Sequence, residues 1–130
     1  MRSQTVGIVE DDAAIRDSLR VLLGARGFEV RCFASAAEFL GSSGTEGLGG
    51  LVIDQQMPDL SGIELLEVLR ARHIPTPVIM MTGGSDSLLE QRARKAGALV
   101  LLHKPLSTTE LMTWLRVALS DSGPSLKTIQ

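Results

Sequence analysis

Four short apolar runs in this chain end abruptly in a polar or charged residue, and a helix-like segment follows each one. They are Thr5–Val9 before Glu10, Leu51-Val52-Ile53 before Asp54, residues 78–81 before Thr82, and residues 99–102 before His103. A fifth strand-like run, Glu29–Phe33, lies between the first two. The four runs are continuous rather than alternating, as expected of strands covered by helices on both faces. Five strands alternating with five helices predict an α/β chain: an open, doubly wound, five-stranded parallel sheet of the (βα)5 kind. The 130 residues are enough for one such domain and too few for two.

The helix signals agree with this order. Ile15, Leu19, Leu22 and Leu23 share one helical face, and Gly27 suits the left-handed position that ends that helix. Ser35 with Glu38, Ser61 with Glu64, and Ser107 with Glu110 have the spacing of capping boxes. They open helices that carry Phe39 and Leu40, then Leu65, Leu66 and Leu69, then Leu111, Leu115, Ala118 and Leu119. Ser85 is read as the cap of the fourth helix, which ends at Gly97. Residues 41–50, rich in Gly and Ser, read as a loop. Residues 1–120 are expected to form the domain, and 121–130, polar with Gly and Pro, a linker or frayed tail.

Charge and composition exclude several functions. A net charge of −2 with no basic run argues against direct binding of nucleic acid by this domain. The apolar stretches are far too short to span a membrane, and no signal peptide follows Met1. The single cysteine, Cys32, excludes an internal disulfide and reads as a small buried hydrophobe, which suits the cytoplasm.

In open parallel sheets, ligands gather beyond the carboxyl ends of the strands. Here those ends deliver Glu10 and Asp11, then Asp54, Thr82 and Lys104. Carboxylates packed together repel, and some hold protons unless a cation joins them. An all-oxygen set suits a hard divalent ion, most simply Mg2+ retaining several waters. Asp54 is then placed to attack phosphorus and form an acyl phosphate. Thr82 is placed to donate a hydrogen bond to a phosphoryl oxygen, and Lys104 to pair with another as a point charge.

The blocks Val9-Glu10-Asp11-Asp12, Val52-Ile53-Asp54 with Met57-Pro58 and Ser61-Gly62, Met81-Thr82-Gly83, and His103-Lys104-Pro105 resemble the signature of response-regulator receiver domains. The run from Met57 to Gly62 and the Thr82-Gly83-Gly84 turn most resemble receivers of the FixJ type. The resemblance implies the CheY-like, flavodoxin-like strand order 2-1-3-4-5. It implies that Asp54 accepts a phosphoryl group from a sensor histidine kinase, with Thr82 as switch hydroxyl and Lys104 bonded to the phosphoryl group. It further implies Mg2+ held by Glu10, Asp11, Asp54 and the backbone carbonyl of Gln56, and a cis peptide before Pro105. Such receivers are phospho-acceptor switches rather than enzymes, with at most slow autodephosphorylation, and those of the FixJ type usually control transcription through a separate DNA-binding domain. The alternative is a stand-alone receiver acting by protein–protein contact or as a phosphorelay intermediate.

Two departures from the family pattern stand out. Leu101 occupies the position of the usual Tyr or Phe, so the standard aromatic rotamer switch cannot operate, and Glu10 replaces the commoner Asp. An aspartyl-phosphate phosphatase on this scaffold needs an acid two residues after the nucleophile, where this chain has Gln56. A pseudo-receiver is disfavoured by the intact Asp54, Thr82 and Lys104. Bland readings suffice elsewhere: Asp12 as a helix cap, Asp59 as a solvated loop acid, His73 at the surface, His103 as a bystander, Trp114 half-buried. Gly83-Gly84 lacks a nucleotide-loop pattern. A homodimer formed on phosphorylation is expected through the fourth helix, fifth strand and fifth helix, around Val100, Leu101, Leu111 and Trp114.

Overall fold

The strand and helix signals are realised as β1 (Thr5–Val9), α1 (Ala13–Ala25), β2 (Glu29–Phe33), α2 (Ala36–Gly41), β3 (Gly50–Asp54), α3 (Gly62–Ala71), β4 (Val78–Thr82), α4 (Ser87–Ala96), β5 (Val100–His103) and α5 (Thr108–Leu119). The structure, a computed structural model, describes residues 4–42, 45–84 and 86–120. The tail expected at 121–130, Ser85, and two residues of the loop at 41–50 lie outside the described residues. All strand pairs are parallel, in the order β2-β1-β3-β4-β5. Among the described residues, no helix is long and apolar enough to cross a membrane.

Strand side chains alternate between two cores, which is why the runs are apolar without interruption. Leu51, Ile53, Val78, Met80 and Leu101 pack with α2, α3 and α4 on one face. Val52, Ile79, Met81 and Leu102 pack with α1 and α5 on the other. β2 departs from this pattern: its residues alternate exposed and half-buried until Phe33, because it is an edge strand. Cys32 is accordingly half-buried rather than fully buried, and desolvation raises its thiol pKa.

Caps set the helix starts. In α3 both halves of the predicted box are present, Ser61 to the Glu64 N–H and the Glu64 side chain back to the Ser61 N–H. Ser35 and Ser107 make the forward bond to the N–H groups of Glu38 and Glu110. Asp12 caps α1 through the N–H groups of Ala14 and Ile15. The cap of α4 is Asp86: its carboxylate accepts from the Leu88 N–H at 2.9 Å. Gly27 follows α1 with φ of 93°, the left-handed turn expected there.

The expected dimer face needs correction in its details. Leu111 is fully buried and Leu101 is 8% exposed, so both belong to the monomer's cores. They lie on inward faces of α5 and β5, and only Val100 and Trp114 of the four retain partial exposure.

Gly62 begins α3 where the loop returns over β3. A Cβ there would lie 2.7 Å from Met80 Sδ, 2.8 Å from the Asp54 carbonyl oxygen and 3.0 Å from Gln55 Cα. Two of those neighbours are backbone and cannot swing aside. Gly62→Ala is therefore expected to destabilise the fold by about 1–3 kcal/mol, read as a lower urea midpoint; an unchanged midpoint would show that the loop yields freely.

Candidate functional site

The carboxyl ends of β1, β3, β4 and β5 bring the predicted residues together. Glu10 is 0% exposed, Asp54 1% and Thr82 0%, although all three are polar. Lys104 Nζ lies 3.0 Å from Glu10 Oε1 and 3.1 Å from Asp54 Oδ1, bridging the two buried acids. Asp11 stands at the exposed mouth, and oxygens of Glu10, Asp11 and Asp54 lie within 4.8 Å of one another. The Lys104–Pro105 peptide is cis.

Backbone hydrogen bonds hold these groups in place. Glu10 Oε2 accepts from the Asp12 N–H at 3.1 Å, and Arg16 donates to the Glu10 carbonyl at 2.7 Å. The Gln56 N–H donates to Asp54 Oδ1 at 3.3 Å. Gln55 closes the loop after β3, its carbonyl accepting from the Gly62 N–H and its side chain from the Ile63 N–H. Asp59, expected as a solvated acid, accepts from the Ala37 N–H at 2.7 Å and so ties this loop to the start of α2. That bond holds its carboxyl below the usual range.

Burial dominates the electrostatics. It pushes Glu10 up to about 7, against the lowering effects of the Asp12 N–H and Lys104, and the charge of Asp54 adds to the rise. Burial would lower Lys104, but its bonds to Glu10 and Asp54 outweigh that and hold the ammonium above its ordinary value. Three acids against one lysine leave the cluster with an excess of negative charge when all are ionised. All-oxygen ligands, two buried and one at an open mouth, fit a hard divalent ion that keeps part of its water shell.

The shift of Glu10 has a measurable consequence in protein freed of divalent ions. The folded state binds this proton up to about pH 7, whereas the ordinary value is 4.5. Stability contributed by Glu10 is thus fully present below the unfolded value and is lost as pH rises through the folded one. The loss is on the order of 3 kcal/mol. Glu10→Gln lacks this component. Wild type is expected to lose stability relative to Glu10→Gln across that interval in urea titrations; a pH-independent difference would exclude a buried proton on Glu10.

Sequence reasoning missed the side chains of Gln56 and His103. Gln56 Oε1 accepts from the Gly83 N–H at 3.0 Å, and its Nε2 donates to Thr82 Oγ1 at 2.8 Å. His103, expected as a bystander, places Nδ1 3.1 Å from the Gly84 carbonyl oxygen. Residue type alone carries no signal for either contact. His73 is exposed, with φ of 60° in the turn after α3, and Trp114 is half-buried, both as expected of their surroundings.

Residues 6–116 match the response regulator receiver domain family, and the chain belongs to that family of signalling domains. Among individual proteins it is similar to the transcriptional regulatory protein FixJ of Bradyrhizobium diazoefficiens, 39% identical over 120 residues, covering 92% of this chain and 58% of that protein. It is also 33% identical over 118 residues to the response regulator protein TodT of Pseudomonas putida, covering 91% of this chain and 52% of TodT. The crystal structure of full-length FixJ from B. japonicum superposes with a TM-score of 0.85 at 37% identity, covering 98% of this chain and 63% of that one. The chain thus spans little more than half the length of the curated relatives it matches.

Proposed function

We propose that this domain accepts a phosphoryl group on Asp54 from a sensor histidine kinase in an Mg2+-dependent reaction. The receiver unit, residues 1–120, then changes shape to control an output. The observation that carries this reading is a nearly buried carboxylate at the end of the central strand, held by Lys104 at 3.1 Å beside two further acids. A carboxylate so placed has a nucleophilic oxygen, a neighbouring cation and little competing water.

In the reaction, an Asp54 oxygen forms a new bond to phosphorus while the P–N bond of the donor phosphohistidine breaks. The departing imidazole takes its proton from water. Lys104, already in contact with Asp54, pairs with a phosphoryl oxygen, and Thr82 donates its hydroxyl to another. Glu10, Asp11, Asp54 and the Gln56 backbone carbonyl would hold an Mg2+ ion, whose positive charge would offset that of the acids and the phosphoryl oxygens. The amide of Gln56, two residues after Asp54, cannot serve as a general acid or base, so we expect hydrolysis of the acyl phosphate to be slow.

A groove of about 560 Å³ between α1 and the approach to α5 opens beside Lys104, lined by Ile15, Leu22, Met81 and Leu106 among others. It offers the kinase apolar surface next to Lys104, which itself contacts Asp54. The output is transcription through a separate DNA-binding domain, as suggested by relatives named as transcriptional regulators that extend well beyond this chain's match. The lone, half-buried Cys32 and the net charge of −2 suit action in the cytoplasm without direct contact to nucleic acid.

The test is incubation with Mg2+ and a small phosphodonor, followed by mass spectrometry. One base-labile phosphoryl group is expected, and none after chelation of the metal. Labelling that ignores chelation would remove Mg2+ from the reading. β5 is an edge strand flanked by α4 and α5, which leaves room for a two-fold contact there on phosphorylation. Beryllofluoride, a stable phosphoryl mimic, is accordingly expected to raise the sedimenting mass toward a dimer; a monomer in both states would sink the dimer and leave the chemistry standing.

A further inference from the structure

The standard aromatic link from the switch hydroxyl to the last strand is missing, because position 101 is leucine and that side chain packs in the core. Another connection between the same elements is present. Thr82 and His103 are direct register partners in the parallel pair β4–β5, and the Lys104 N–H donates to the Thr82 carbonyl at 2.8 Å. Strand alternation puts Met80, Thr82, Leu101 and His103 on one face of the sheet, the face covered by α4. The segment Thr82–Gly84 leads from β4 toward α4, whose cap is Asp86.

That segment is gripped from both neighbouring strands. The Gly83 N–H can only donate, so the atom of the Gln56 amide it meets is the oxygen, and the amide nitrogen faces Thr82. Thr82 Oγ1 thus accepts from Gln56 at 2.8 Å and from the Gly84 N–H at 3.0 Å. Both of its lone pairs are occupied, and only its proton remains to be given. On the other side, the Gly84 carbonyl can only accept, so His103 Nδ1 is the donor at 3.1 Å. Gly84 therefore joins the two grips through its own N–H and C=O.

We infer that His103 is the positioning residue that couples the Thr82 hydroxyl to β5: through Gly84 it holds the segment Thr82–Gly84 in the unphosphorylated arrangement and releases it when Thr82 turns toward a phosphoryl group. This rests on the reading of Asp54 as phospho-acceptor. When the Thr82 hydroxyl leaves its present position, Gly84 loses the acceptor for its N–H, and the peptide carrying its carbonyl is free to swing away from His103. The bond to His103 then belongs to the resting state alone. A contact made in only one of two states biases the equilibrium between them. Gln56 opposes the same movement from the β3 side. His103 thus stands where the leucine at 101 leaves the usual route open, with β5 at one end and Gly84 at the other.

The test uses the whole chain with Mg2+ and beryllofluoride, titrated by fluorine and amide NMR. His103→Leu removes the donor from an exposed side chain, so the fold is expected to survive. His103→Asn restores a donor near the position of Nδ1. If the bond stabilises only the resting state, its loss tightens apparent beryllofluoride binding by up to about fivefold. The Thr82, Gly83 and Gly84 amides of unliganded His103→Leu are expected to move toward their beryllofluoride-bound positions, and His103→Asn to return both readouts to wild type. Unchanged binding in His103→Leu, weaker binding, or an asparagine variant that behaves like leucine would each overturn the relay while leaving Asp54 as acceptor. Failure of the wild type to bind beryllofluoride would instead remove the reading of Asp54, and the relay with it.

Discussion

Replacing Asp54 by asparagine is expected to abolish covalent labelling by phosphodonors while leaving the fold at least as stable as wild type. The amide lacks the anionic oxygen needed to attack phosphorus, and an acyl phosphate cannot form on it. The stability half of this expectation follows from the charge balance. Asp54 and Glu10 are both buried and both pair with Lys104. Removing one of two buried acids that compete for one lysine relieves repulsion, and the substituted amide retains an oxygen for the Gln56 N–H and Lys104. Mass spectrometry after incubation with a small phosphodonor reads the first effect, and urea unfolding the second. Full labelling of Asp54→Asn would place the acceptor elsewhere. Loss of labelling together with unfolding would show a structural defect rather than a missing nucleophile.

Lys104→Met is the second large perturbation. The methionine stem fills much of the same space but leaves Glu10 and Asp54 facing each other without a cation. Breaking a buried pair by deleting one partner costs about 3–5 kcal/mol. Lys104 keeps 22% of its side chain exposed, so the lower end of that range is expected at neutral pH. Because Glu10 already holds its proton up to about 7, the loss should shrink as pH falls below that value. Added Mg2+ should restore more stability to this variant than to wild type, since only the variant lacks a cation between the acids. Phosphodonor labelling should fall sharply even where the variant is fully folded, because a phosphoryl oxygen has lost its point-charge partner. Urea titrations at two pH values, with and without Mg2+, separate these effects. Equal stability of variant and wild type at high pH would mean that the bridge contributes nothing net.

The expected transcriptional output and the kinase partner stand on different ground from the chemistry. The first draws on relatives named as transcriptional regulators, of whose length this chain matches little more than half. The second draws on membership of the receiver family and on an apolar groove placed beside Lys104. The labelling and stability experiments test neither. Protection of Ile15, Leu22 and Leu106 from solvent exchange when a histidine kinase is added would test the second directly.

The order of elements, the sheet type and the residues at each strand end are legible along the chain because those features are written locally. Unbroken apolar runs state that both strand faces are covered, and a serine three residues before a glutamate states where a helix starts. Glu10, Asp11, Asp54, Thr82 and Lys104 could be named because a parallel sheet brings the carboxyl ends of its strands to one edge whatever the loops do. Which side chains close on one another at that edge is a matter of three-dimensional packing. The turn of the Gln56 amide toward Thr82 and Gly83, the grip of His103 on Gly84 and the reach of Asp59 to Ala37 all join residues about twenty or more positions apart. The exposure of β2 and the burial of Leu101 and Leu111 likewise depend on which strand lies at an edge and which helical face turns inward. A single side chain makes such a contact only if register and loop path carry its partner within about 3 Å, a condition set by the packing of the whole domain and by no periodicity along the chain.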